Sequence, residues 1–272
     1  MNALQAMIMG IVQGITEFLP ISSSGHLVML AKIWHLNPEA SGTLFVLFLH
    51  LGSLIAVMYA LRKELMWWYR HPKSRLTWMI GVALLPTAVI GVLFEEWFEH
   101  LFSTGATVGL EFVITGCILW WMDSRTDGMK TEETMHVKDS LWIGALQGAA
   151  ILPALSRSGL TIAGGLWRGM ERRAAARFSF LLSIPAILGG ILVELDDLFE
   201  DPVAAHHLPW MPILVGTVSA AVAGYIGVRF TFWLLEKCRM RIFAVYTFVL
   251  AAFILSDQIF FHRFFPPLFI LH

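Results

Sequence analysis

One segment of this chain occurs twice. Residues 13–26 read QGITEFLPISSSGH, and residues 147–160 read QGAAILPALSRSGL. A shift of 134 positions lays Gln13 on Gln147, Gly14 on Gly148, Ser22 on Ser156, Ser24 on Ser158 and Gly25 on Gly159. The same shift carries the apolar stretch 43–61 onto 177–195, 77–94 onto 211–228 and 107–122 onto 241–256, the last stretch running on to 260. The chain is thus one unit written twice: a proline–serine segment followed by three apolar stretches. At ~1.5 Å rise per residue, such stretches reach about 24–30 Å, the depth of a bilayer core, so each is predicted to span it. Three spans per unit is an odd number, so the second copy must be inverted relative to the first, as in inverted-repeat transporters.

Composition agrees with a membrane location. Hydrophobic residues make up 57% of the chain and charged residues only 14%, and mean hydropathy is +0.69. Eleven Trp and twenty Phe suit contact with lipid tails and headgroups. No nucleic-acid partner is expected, and a homodimer is left open. Cys117 lies in an apolar span and Cys238 in a basic connection, which predicts no disulfide. The start, MNALQAMIMG, lacks the basic region of a signal peptide, with no Lys or Arg before Lys32, and is expected to be retained.

The proline–serine segments read as re-entrant hairpins. Residues 3–18 predict a helix, Pro20 and the SSSG turn break it, and 25–35 predict a shorter second arm. Eleven residues give only ~16 Å, too little to recross the membrane. An ordinary span kinked at proline is the competing reading. The hairpins fall at 1–35 and 139–170, within repeats 1–138 and 139–272 joined by a cytoplasmic linker. Non-helical backbone at membrane depth is tolerated where it is buried in protein or lines a cavity, so two such turns imply a shared polar cavity.

The charges orient this arrangement. Connection 62–76 holds Arg62, Lys63, Arg70, Lys73 and Arg75; connection 229–241 holds Arg229, Lys237, Arg239 and Arg241. Arg168, Arg172, Arg173 and Arg177 follow the second hairpin. By contrast, 95–106 carries Glu95, Glu96 and Glu99, and 196–209 carries Asp196, Asp197, Glu200 and Asp201, both without a base. The positive-inside rule puts the basic connections in the cytoplasm and both chain ends outside. The first hairpin then dips in from outside, the second from inside, and their tips meet near the midplane.

The tips collect the polar residues of an otherwise oily chain, and ionisable groups within a membrane are usually functional. Each serine turn precedes a predicted helix, whose N-terminus offers unpaired N–H groups suited to phosphate. Arg157 adds a planar cation matched to phosphate oxygens. Ser22, Ser23, Ser24, Ser156 and Ser158 add hydroxyls that either bind or simply cap the helices. Gln13 and Glu17 share a helix face. Glu17 beside a bound phosphate calls for a bridging divalent cation or a proton. His26, just past the turn, can exchange protons near neutral pH, though a lone histidine is more often a packing residue.

The string Q-G-x-T-E-F-L-P-x-S-S-S-G-H resembles the first signature of the undecaprenyl-diphosphate phosphatase family, also called the bacitracin-resistance family. P-A-L-S-R-S-G-x-T resembles its second signature, and RFSFLLSIPA at 177–186 and LHLGS at 49–53 also look like family segments. The resemblance covers about residues 3–260. It implies an all-α integral membrane enzyme, two inverted repeats each of a re-entrant hairpin and three transmembrane helices. Its activity would be the removal of the terminal phosphate from undecaprenyl diphosphate, a polyprenyl diphosphate lipid. That recycles the carrier of cell-wall precursors and confers bacitracin resistance. It further implies a bacterial inner-membrane location, an active site open to the periplasmic face and dependence on a divalent cation, magnesium or calcium.

Carried over to this chain, Glu17 matches the second carboxylate of (E/Q)-x-x-x-E and is the implied metal ligand, with Gln13 at the first position. Ser23 matches the serine proposed as nucleophile, His26 the motif histidine, expected to manage protons for it, and Arg157 the arginine of P-G-x-S-R-S-G. Water activated by Glu17 or His26, or attack by His26 itself, are rival paths. Ala154 stands where the family signature has glycine, and Val46 where many members carry an acid. A flippase or transporter of lipid phosphates using the same anion site is the alternative function. Retention of Ser23, His26, Glu17 and Arg157 favours the enzyme, and the missing acid favours the transporter.

Overall fold

The computed structural model describes residues 1–36, 38–200, 210–237 and 240–268, with side chains at all of these except 38–43 and 194–200. Among the described residues the regular structure is helical. Helices α1 (Ala3–Phe18) and α2 (Ser23–Ile33) form the first hairpin. A capping box starts α1: Gln5 N donates to Asn2 Oδ1 at 2.8 Å and Asn2 N to Gln5 Oε1 at 3.0 Å. The helix stops because Leu19 precedes Pro20 and adopts extended backbone. The first arm matches the predicted 3–18; the second begins at Ser23 rather than 25, since Ser22 is its N-cap.

The first repeat continues through α3 (Pro38–Ala60), α4 (Arg62–Arg70), α5 (Arg75–Leu93), α6 (Glu95–Thr104) and α7 (Val108–Asp123). The second begins with its hairpin, α8 (Val137–Ala149) and α9 (Arg157–Trp167), followed by α10 (Arg172–Glu200), α11 (Trp210–Lys237) and α12 (Met240–Ser256). A π-helical turn, Asp257–Phe261, extends α12. Among the described residues four segments are long and apolar enough to cross a membrane: 75–93, 172–193, 210–237 and 240–261. The other two predicted spans each belong to a bent pair, α3 with α4 at 77° and α7 with α6 at 103°.

Several predicted loops are helical. The basic connection 62–76 contains α4 and the acidic connection 95–106 contains α6. Both are amphipathic, which span-length hydropathy does not detect. In α6, Glu95 and Glu96 sit favourably in the first turn, Phe98 and Leu101 are buried three apart, and Gly105 ends the helix at φ 68°. In α4, Met66, Trp67 and Tyr69 stay exposed beside Arg62, Lys63 and Arg70, a composition suited to the membrane interface. Helix α11 outruns the predicted 211–228, so Arg229 lies within a helix, and α10 continues through 196–200. The remainder of the acidic connection, with Asp201, and Cys238 and Arg239 lie outside the described residues; Cys117 is an exposed free thiol.

Helix partners exchange between the repeats. Helix α1 lies along α11, and its counterpart α8 lies along α5. Glycine permits both approaches: a Cβ on Gly10 would collide with Gly216 O, one on Gly14 with Ala220 O, and one on Gly144 with Ala83 O. Gly10 and Gly14 are the residues that the 134-residue shift lays on Gly144 and Gly148. These small-xxx-small contacts let backbones touch where lipid offers no hydrophobic drive for association. Corresponding helices also pair directly, α7 with α12 and α3 with α10. The outward face of α5 leaves Trp78, Leu85, Val89 and Val92 exposed, as lipid contact requires.

Two measurements check this arrangement. Gly14→Leu should lower the thermal midpoint in detergent, through overpacking that costs about 1–3 kcal/mol. Gly81→Leu, where nothing lies within 4 Å, should leave it unchanged. In a cysteine-free background, a membrane-impermeant thiol reagent applied outside should label Glu99→Cys and miss Arg70→Cys; the reverse pattern would overturn the orientation. Position 98 is unsuited to this assay because Phe98 is buried.

Candidate active site

The two serine turns meet. Ser22 Oγ donates to Pro153 O at 2.7 Å, and Ser158 Oγ donates to Leu19 O at 3.0 Å, so each hairpin binds the backbone of the other. Gly25 makes the approach close: a Cβ there would lie 2.9 Å from Ala154 Cβ and 2.8 Å from Phe112 Cζ. Ser22 and Ser156 are N-caps of α2 and α9, accepting from Gly25 N at 3.3 Å and Gly159 N at 3.1 Å. Capping therefore accounts for these two hydroxyls. Ser156 also contacts Ser158 Oγ at 3.3 Å, while no hydrogen bond among the described residues joins half-buried Ser24 to the network.

Ser22 has φ 67°, a region L side chains rarely adopt, at a typical cost of about 1–3 kcal/mol. Three bonds hold it there: the two made by its hydroxyl, and one from His26 Nδ1 to Ser22 O at 2.5 Å. The strained residue immediately precedes Ser23 and sets where that side chain points.

Glu17 is the hub. One carboxylate oxygen is ion-paired with Arg157 across the hairpins. The other accepts from Ser23 Oγ at 2.5 Å and from Gln13 Nε2 at 3.0 Å. Gln13 Nε2 also reaches Ser53 Oγ on α3 at 3.3 Å, and His50 on α3 lies within electrostatic range of Glu17. Glu17 and Ser23 are each 7% exposed, whereas the Arg157 side chain is 19% exposed and remains reachable. From sequence, Arg157 reads as a cation awaiting an anion; the protein supplies that anion as Glu17. A buried ion pair of this kind leaves a costly lone charge when either partner is removed.

Both ring nitrogens of His26 are engaged by groups other than the Ser23 hydroxyl. Its Nδ1 meets the Ser22 carbonyl and so carries the proton, leaving Nε2 to accept from Tyr246 O–H at 2.7 Å. Tyr246 also stacks on the imidazole, with centroids 5.6 Å apart, and Phe112 packs edge-on at 5.5 Å. The base in contact with Ser23 is thus Glu17, where the sequence suggested His26.

Among the described residues no three His, Cys, Asp or Glu side chains gather as a ready metal cage. The donor set at Glu17 nevertheless fits a hard cation. Gln13 Oε1 is buried beside Glu17 with no hydrogen-bond partner, an oxygen ligand left unsatisfied. Magnesium commonly takes one or two carboxylates and fills its remaining positions with water and substrate phosphate.

Five polar residues in or beside the site were not singled out from sequence: His50, Ser53, Tyr246, Glu111, which accepts from Ala154 N, and Thr115, which donates to Ala154 O. Ser53 closes the LHLGS segment. Glu111 is the one acid in the stretch 107–122, and a lone carboxylate in an apolar span is itself a signal. Thr115 and Tyr246 look like ordinary span residues and carry none.

Comparison with known proteins agrees with this geometry. The family model described as "Bacitracin resistance protein BacA" matches residues 6–253. A protein of Carboxydothermus hydrogenoformans named undecaprenyl-diphosphatase is 44% identical over 258 residues, covering 95% of this chain and 98% of that protein. A Bacillus cereus protein named undecaprenyl-diphosphatase 4 is 42% identical over 258 residues, with the same coverage. The undecaprenyl-diphosphatase of Methanobrevibacter smithii is 37% identical over 280 residues, covering 95% of this chain and 99% of that protein. With paired serine hairpins inside a bundle of apolar helices and similarity along nearly its whole length, the chain is a multi-pass membrane protein that belongs to the BacA bacitracin-resistance family.

Proposed function

We propose that this protein hydrolyses undecaprenyl diphosphate to undecaprenyl phosphate and inorganic phosphate, recycling the lipid carrier of cell-wall synthesis. The observation that carries this reading is the Ser23 hydroxyl donating to Glu17 at 2.5 Å, with Arg157 on the other oxygen of the same carboxylate. A serine hydroxyl is a weak nucleophile unless a base adjoins it, and anion binding alone has no use for such a pair. The names of the relatives supply the substrate, and the basic inner connections support a site in the inner membrane open to the outer face.

The chemistry follows from the contacts. Arg157 gives one N–H to Glu17 and keeps others for the terminal phosphate, whose charge the exposed edge of the guanidinium meets. Glu17 takes the Ser23 proton as Oγ bonds to the terminal phosphorus. The bridging P–O bond breaks, and undecaprenyl phosphate leaves with that oxygen and with the proton, which Glu17 passes on, so that the carboxylate is free again. Water then attacks the phosphoserine, giving a proton to Glu17 and hydroxide to phosphorus; the Oγ–P bond breaks, and Ser23 recovers its proton. The N-terminal ends of α2 and α9 and Arg157 stabilise charge on the phosphate oxygens in both steps. Glu17 and Gln13 Oε1 would hold a divalent cation, which when bound would neutralise diphosphate charge. His26, held between Ser22 O and Tyr246, maintains the strained turn that aims Ser23.

Variants test each role. Glu17→Gln should lower turnover by about 10²–10⁴-fold, the usual range for losing a nucleophile's proton acceptor, and Ser23→Ala, which removes the nucleophile itself, by at least as much. With chelator present, Glu17→Gln should bind the lipid at least as tightly as wild type, because Arg157 is released to the phosphate. Arg157→Lys should lose most activity despite its charge, since an ammonium cannot reproduce a two-pronged grip. Near-normal turnover by Ser23→Ala would replace serine attack with attack by water. The decisive assay is phosphate release from undecaprenyl diphosphate by purified protein, with chelator expected to suppress it. Binding without hydrolysis under any divalent metal would sink the enzyme reading in favour of transport.

A further inference from the structure

Glu111 is a buried carboxylate, 3% exposed, that the proposed reaction does not use. Among the described residues no Lys, Arg or His forms an ion pair with it. Its partners are donors of another kind. One oxygen accepts from Thr107 O–H at 2.5 Å, and the other accepts from the backbone N–H of Ala154 at 2.5 Å. One turn along the same face of α7, Thr115 Oγ1 donates to Ala154 O at 2.9 Å and accepts from Ser156 N at 3.3 Å. Both peptide groups of Ala154 are therefore held by α7, three residues ahead of Arg157, in a turn with no helical ladder of its own. The position of Glu111 in the first turn of α7 lets the helix end offset its charge.

We propose that Glu111 is a positioning residue for the anion site: with Thr115 it clamps the Ala154 peptide and so aims Arg157 at Glu17 and at the phosphate. This rests on the reading that Arg157 grips the diphosphate. The clamp needs two acceptor oxygens or a close substitute. A glutamine at 111 retains an oxygen for Ala154 N–H and offers an N–H to Thr107 Oγ1. A leucine of similar size offers neither.

Binding of farnesyl diphosphate to purified protein in detergent tests this, measured in a Ser23→Ala background so that no turnover intervenes. Glu111→Leu should weaken binding by about 10-fold, and Glu111→Gln by less than about 3-fold, in line with couplings between residues of one network. In an Arg157→Ala background, Glu111→Leu should change binding by less than about 2-fold, because the group it positions is gone. Thr115→Val, which keeps shape and removes the second clamp, should show the same dependence on Arg157 and stands in if Glu111→Leu does not fold. Unchanged binding in Glu111→Leu, an equal loss with and without Arg157, or no Arg157-dependent binding in the parent protein would each overturn the proposal. If the binding cycle holds while the wild-type protein releases no phosphate from undecaprenyl diphosphate, the hydrolase reading fails and the positioning role stands.

Discussion

Everything at the centre of this protein depends on one ion pair, Glu17 with Arg157, made between hairpins that approach from different repeats. Inside a membrane neither charge is tolerable alone, so the pair forces the hairpin tips together and fixes their register. It also balances the two charges of the site against each other. A site carrying only an arginine would trap any anion, and one carrying only a glutamate would repel diphosphate. Together they leave a carboxylate able to accept the Ser23 proton and a guanidinium with spare donors on its exposed side.

That meeting is possible because the helices behind the tips can touch. Gly10 and Gly14 on α1 and Gly144 on α8 let each hairpin arm lie against the second span of the other repeat at backbone distance. The exchange ties the repeats together mechanically, so moving one tip requires moving a helix of the other repeat. Hydrogen bonds from Ser22 to Pro153 and from Ser158 to Leu19 finish the join through backbone carbonyls of the two turns. The same residues thus satisfy backbone polarity at membrane depth and build the anion site.

The architecture was legible because its determinants are periodic. Apolar span length and the 134-residue repeat both operate over many residues, and they located the two hairpins, four helices long enough to span and the apolar helices of the two bent pairs. The amphipathic helices α4 and α6 escaped because their apolar residues form one face rather than a continuous run. At the site, the cast was legible from residue type and its wiring was not. Nothing local shows that His26 turns toward Tyr246, 220 positions away, or that Ser23 meets Glu17 instead. Which partner a side chain takes depends on the strained backbone at Ser22 and on helices that arrive from the second repeat.

The departures from the family pattern read differently once placed. Ala154 is wholly buried against Gly25, so its added methyl fills space that the glycine opposite leaves vacant, and both of its backbone groups remain bound by α7. Val46 is half-buried in an apolar cluster with Met9 and Leu49, where an acid would need a partner. With glutamine at position 13 and valine at 46, Glu17 is the sole carboxylate among the matched motif positions, and Arg157 already balances it. On the proposed function, charge neutralisation of the incoming diphosphate then falls more heavily on the fixed guanidinium, and a bound cation would lean on substrate oxygens and the unsatisfied Gln13 Oε1. On the same proposal, the grip of this site on its anion depends on how firmly the second serine turn is held, by α7 as well as by Ser22 and Glu17 of the first motif.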